Sequence, residues 1–181
     1  MRGPLRLIAL LFLAGTLLPL GGCGFRPLYG DNGAAGSSTV NRLADVDVIS
    51  PESAIGRSLK YNLLDGLSAD GNVPVSPLYK LTLRPTSYSQ DLAVQQDAAV
   101  TRANFVLVVP FTLVSTATGK VVFKSTARAR SSYNRVESEF ANLSAEQDAQ
   151  KRVAEAVSDD IKLQVSVFFD RQANKGEASL H

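Results

Sequence analysis

The chain has 181 residues, 45% of them hydrophobic and 20% charged, with 19 basic and 17 acidic side chains and a formal charge of +2. This supports one domain with a real core and lacks the basic excess of a nucleic-acid binder. Cys23 is the only cysteine and His181, the last residue, the only histidine, which excludes an internal disulfide, histidine triads and histidine metal sites.

Arg2 and Arg6 precede an apolar run over 7–20, and Gly21, Gly22 and Cys23 follow it. Basic start, apolar stretch and small residues are the layout of a secretory signal. Leu20-Gly21-Gly22-Cys23 resembles a bacterial lipobox. That likeness implies a diacylglyceryl group on the Cys23 thiol, cleavage before Cys23 and acylation of the new amino group, so residues 1–22 are expected to be a signal peptide. Two plainer readings compete. A transmembrane helix is disfavoured because Pro4 and Pro19 bracket the run, which falls short of the roughly 18 apolar residues of a span. Secretion with a free thiol is the other. Cleavage would remove Arg2 and Arg6 and leave 17 basic against 17 acidic side chains. By the enterobacterial sorting pattern, Gly24 where Asp would retain the protein implies lipid-anchored delivery to the periplasmic side of the outer membrane.

Residues 23–41 are expected to form the lipidated N-terminus and a tether, flexible over the Gly- and Ser-containing stretch 31–41. A single domain over 42–169 follows. Residues 43–49 alternate as a first strand, with Val46 and Val48 on one side. Ser50, Pro51 and Glu52 look like a helix start, and Ile55, Leu59, Leu63 and Leu67, with Leu64, form one apolar helix stripe. Asp70-Gly71-Asn72 ends it. A second strand runs from Pro77 to about Ala93, with Pro85 marking an edge or a bulge. A third strand, from about Val100 to Ser115, is apolar on both faces. Gly119 serves a hairpin turn, and a fourth strand runs from Val121 to about Asn134. Ser144 to Gln147 resembles a capping box opening a long helix to about Phe169, with Ala149, Val153, Val157, Ile161, Val165 and Phe169 at four-residue steps. Residues 170–181 are expected to be a polar, disordered tail. The expected fold is α+β in two layers, β-α-β-β-β-α, a four-stranded mixed sheet with two helices on one face. Strands one and two are parallel and the rest form an antiparallel meander.

Alternation across the strands sends Tyr79, Leu81 and Leu83, and Val121, Phe123, Ala127 and Ala129, toward the helices. Lys80, Arg84, Lys124, Arg128 and Arg130 then share the open side, with Val106 and Val108 of the third strand between them. An apolar strip flanked by five cations suits alkyl chains beside phosphates. The same face also fits a solvated surface with cross-strand charge pairs, or a protein interface. The close acidic pairs, Asp45/Asp47 and Asp159/Asp160, fit the outer side of a strand and the polar face of a helix. No phosphate loop and no carboxylates at metal-ligand spacing occur, so neither a cofactor nor an enzymatic activity is expected.

Cys23-Gly24-Phe25-Arg26-Pro27-Leu28-Tyr29-Gly30, with the β-α-β-β-β-α order, resembles the LptE family, the lipopolysaccharide-assembly lipoproteins of Gram-negative outer membranes. The stretch 133–141, Ala145 to Ala149, Arg152 and Asp159-Asp160-Ile161 are similar to alphaproteobacterial members. The resemblance implies a non-enzymatic protein that plugs and helps assemble the LptD β-barrel and binds lipopolysaccharide for insertion in the outer leaflet. It also implies lipopolysaccharide contacts by basic residues on the sheet, for which Arg84, Lys124, Arg128 and Arg130 are candidates beside Lys80. An auxiliary lipoprotein of an ABC-type phospholipid-trafficking system is the alternative. An envelope hydrolase with a Ser/Lys pair is a third class, without a nucleophile motif to support it.

Overall fold

The structure is a computed structural model that describes residues 40–68, 71–93 and 101–178. The signal segment, Cys23 and the 31–39 part of the expected tether lie outside the described residues. A helical turn over 40–44 buries Leu43 and leads into β1 (Val46–Ile49). There follow α1 (Ala54–Leu67), β2 (Tyr79–Leu83), β3 (Thr86–Ala93), β4 (Thr101–Ser115), β5 (Val121–Arg135) and α2 (Glu139–Ala178). The result is a two-layer α+β fold with a mixed sheet.

The fifteen residues of β4 hold the sheet together. β5 runs antiparallel along one side of it, and β2 and β3 share the other side. β1 lies parallel to β2 at the outer edge. The single second strand expected from sequence is therefore divided at Arg84-Pro85, which gives five strands instead of four. The division costs no register. Leu83 faces Phe111 and Thr86 faces Val108, so three steps on one strand match three on the other. Two prolines explain the gap. Arg84 donates its N–H to the Pro110 carbonyl at 3.0 Å, and Pro110 has no N–H to return the bond, while Pro85 has none to offer on the outer edge.

The odd-numbered side chains of β4, from Ala103 to Leu113, are buried against the helices. They meet Leu59, Leu63, Leu64 and Leu67 of α1 and the four-residue stripe from Ala149 to Phe169 of α2 in one core. Rings fasten the second half of α2. Tyr79 and Phe169 lie 4.9 Å apart between centroids, and Phe123 stacks on Phe168 at 4.9 Å.

Both helix starts differ from the sequence expectation. Ser53, not Ser50, caps α1, its hydroxyl accepting from the Gly56 N–H at 3.0 Å. The chain before the cap folds back so closely that a Cβ at Gly56 would collide with the Pro51 carbonyl. α2 starts at Glu139, so Ser144 lies inside the helix. Ser138 is the cap, accepting from Ala141, and the Asn142 side chain bonds both the N–H and the carbonyl of Val136. The helix also continues to Ala178, through residues expected to be a disordered tail. At the β4–β5 hairpin, Gly119 takes φ 66°, as the turn requires. A register shift there puts Val121 opposite Val114 and leaves Val122 without a partner. Val121 thus points to the open face, 59% exposed, and Val122 packs against the core in its place.

Two stability predictions follow from this packing. Val121→Asp should change the unfolding free energy by less than about 0.5 kcal/mol, whereas Val122→Asp should cost at least about 2 kcal/mol. Urea unfolding of both checks the bulge, and equal effects would contradict it. Phe111→Ala should cost about 3–5 kcal/mol in the same assay.

Candidate functional site

One side of this sheet carries both helices. Among the described residues no helix lies on the other side. Lys80, Arg84, Lys124, Arg128 and Arg130 all emerge on that open side, and all five are exposed. The register sets them in order along β4. Arg130 is level with Val106, Arg128 with Val108, Lys124 with Thr112 and Lys80 with Val114, while Arg84 bonds the backbone at Pro110. Five rows of β4 therefore carry five cations over about 27 Å of strand, with the two flanking strands about 10 Å apart.

Between the cations runs a strip of Val106, Val108, Pro110, Thr112 and Val114. Val108 and Val114 are half-buried and Pro110 is exposed. The strip stays apolar because β4 alternates one apolar set against another, an unusual pattern for a strand with one face uncovered. The stems of Arg and Lys on either side are long enough to shield part of it.

Among the described residues, no ion pair neutralises these cations. None of the five forms an ion pair with a described carboxylate. Asp47 stands opposite Lys80 on β1, but the two do not close to ion-pair distance. The ion pair of Arg135 with Asp91, 3.2 Å long, lies on the helix side at the far end of β4. Among the described residues, the cross-strand ion pairs of one of the plainer readings do not occur on this face. Arg128 donates instead to the neutral Tyr88 hydroxyl at 3.3 Å.

Besides Val121, the residues Arg102, Tyr88 and Gln90 of this face escaped the sequence reading. Arg102 continues the even positions of β4 beyond Asn104, exposed on the open side, and is a sixth cation. Simple alternation would have found it. Tyr88 and Gln90 reach the same face because the register survives Pro85, and only the pairing reveals that. At the β5 edge, Arg128, Ala129 and Arg130 line an open hollow.

The acidic pairs sit where the sequence put them. Asp47 shares the open face of β1, and the Asp45 carbonyl accepts from the Leu78 and Tyr79 N–H groups. Asp159 is exposed and Asp160 half-buried on α2. Among the described residues no three of His, Cys, Asp and Glu cluster to hold a metal. No described helix is long and apolar enough to cross a membrane.

No family model matches the chain, and no curated protein matches it. Solved structures do. A candidate lipoprotein from Caulobacter crescentus superimposes with a TM-score of 0.63 at 20% identity, over 74% of this chain and 96% of the other. A minor lipoprotein from Acinetobacter baumannii gives a TM-score of 0.53 at 22% identity, over 67% and 90% of the two chains. The chain has the fold of these two proteins.

Like charges on one face repel, so neutralising them should not weaken the fold. Lys124→Gln combined with Arg130→Gln should leave the unfolding free energy unchanged within about 0.5 kcal/mol, or raise it. Urea unfolding at low ionic strength checks this. A loss above about 1 kcal/mol would mean that these cations are structural.

Proposed function

We propose that the chain is an outer-membrane lipoprotein of the LptE type. In this reading it is acylated at Cys23, helps assemble and plugs an LptD-like β-barrel, and binds lipopolysaccharide on its open sheet face. The observation that carries the proposal is the row of five exposed cations, none paired with a described carboxylate, along an apolar strip. Lipid A joins phosphates to acyl chains, and each half finds its counterpart on this face: guanidinium and ammonium groups for the phosphates, the β4 valines for the chains. The lipobox-like Leu20-Gly21-Gly22-Cys23 and the Cys23-to-Gly30 stretch support the anchor. The likeness in fold to two lipoproteins is consistent with it.

The mechanism is competition. Lipopolysaccharide aggregates are bridged by divalent cations between phosphates. Arg128 and Arg130, on alternate positions of one strand, stand about 6.6 Å apart along it and can take the place of those ions. A single molecule then leaves the aggregate, its chains shielded along β4. The near-neutral balance expected of the processed chain suits a plug in the polar, wet lumen of a barrel.

Charge reversal, Arg128→Glu with Arg130→Glu, should weaken lipopolysaccharide binding at least about tenfold, since a hydrogen bond to a charged group contributes about 1.5–3 kcal/mol. Surface plasmon resonance with the full chain measures it, and unchanged affinity would remove this face from the account. A pull-down of the tagged chain from outer membranes should bring down an LptD-like barrel. Recovery of a substrate-binding transporter subunit would favour the phospholipid-trafficking alternative.

A further inference from the structure

Val106 is, with Asn104, an exception on the open face. The register places it there, level with Val108 and Val114, yet it is only 1% exposed. No described helix covers that side. Tyr88 on β3 and Arg130 on β5 stand directly opposite it. Arg128 stands one row along, opposite Val108, and its Nη2 donates to the Tyr88 hydroxyl at 3.3 Å. This hydrogen bond runs diagonally across β4 between the Val106 and Val108 rows. It spans the apolar strip at that point. Tyr88 itself remains 45% exposed, so solvent and ligands reach the bond from outside.

We propose that Tyr88 and Arg128 form a latch over Val106, and that the phosphate of a phosphorylated acyl lipid releases it. This rests on the reading of the open face as a lipid site. The Arg128 contact to a neutral phenol is long for a hydrogen bond. A phosphate offers a charged, bidentate acceptor to the same guanidinium and outcompetes the phenol. Tyr88 then loses its donor. An exposed side chain changes rotamer in picoseconds to nanoseconds, so nothing slow holds the ring in place. Once it moves, Val106 joins Val108 and Val114 as one continuous apolar surface for an acyl chain. Recognition of the head group and burial of the chain are thereby coupled, and the coupling is reciprocal. A ligand with a phosphate but no chain opens a surface that it cannot use. One with a chain but no phosphate meets a closed strip.

The test is the reactivity of a thiol placed under the latch. Val106→Cys in the full chain should react slowly with a maleimide, as followed by mass on the peptide containing position 106. Inorganic pyrophosphate should raise the rate at least about threefold. Tyr88→Phe in that background should raise it to a similar level and abolish the response to pyrophosphate. A diphosphorylated acyl lipid should bring the rate below that seen with pyrophosphate, because its chain covers the site. Rates unmoved by both pyrophosphate and Tyr88→Phe would overturn the proposal, as would protection of the thiol by a co-purifying protein and not by lipid. A thiol that responds to pyrophosphate in a chain that fails to bind lipopolysaccharide would uphold the latch and refute the lipid reading. Ring resonances of Tyr88 in the unmutated chain, assigned by their loss in Tyr88→Phe, give a second measurement. They should shift on addition of pyrophosphate, and unmoved resonances would also overturn the latch.

Discussion

The two-sided burial of β4 governs this structure. Its odd positions fill the helix-covered core and its even positions carry Val106, Val108 and Val114 to the other side. In a strand a one-residue slip exchanges the two faces. Here either slip would push Arg or Lys side chains from the flanking strands into the core. The register that protects the core therefore also assembles the cationic face, and the two cannot be separated. Even the proline gap between β2 and β3 obeys this constraint, since Leu83 and Thr86 keep the same alignment on β4.

The distribution of helices gives that face its character. Both helices pack on one side, and the aromatic contacts around Phe123, Phe168 and Phe169 fasten α2 there. Among the described residues the other side carries no helix. It manages its apolar strip with long cationic stems and with the Tyr88–Arg128 bond. Such a surface satisfies water at its rim while keeping an apolar floor, which is the arrangement an amphiphile with anionic groups requires. Like charges with no described ion-pair partner oppose folding slightly, and under the proposed function they are what an anionic partner would meet.

Much of this was legible in the sequence because the decisive patterns are local. Alternation in β2 and β5 predicted which cations share a side, and the four-residue stripes of Leu59 to Leu67 and Ala149 to Phe169 predicted both helices. The α+β order and the parallel first pair also follow from local patterns joined by connection length. What was not legible depends on a partner strand or on a competing cap. Val121 changes face because Val122 has no partner on β4, which no single strand can reveal. Ser144 to Gln147 carries a capping pattern, but Ser138 and Asn142 satisfy the chain earlier. Tyr88 looked like one residue in a long strand. Its place opposite Val106 and beside Arg128 emerges only when three strands are aligned.

The central claim is that the uncovered side of the sheet, and not the helical side, meets a phosphorylated lipid. Site-specific photocrosslinking in cells addresses it most directly. A photoreactive residue at Thr126, exposed on the open face, should give adducts with lipopolysaccharide, and one at Glu155, exposed on α2, should give none. Adducts from Glu155 alone, or equally from both positions, would contradict the account.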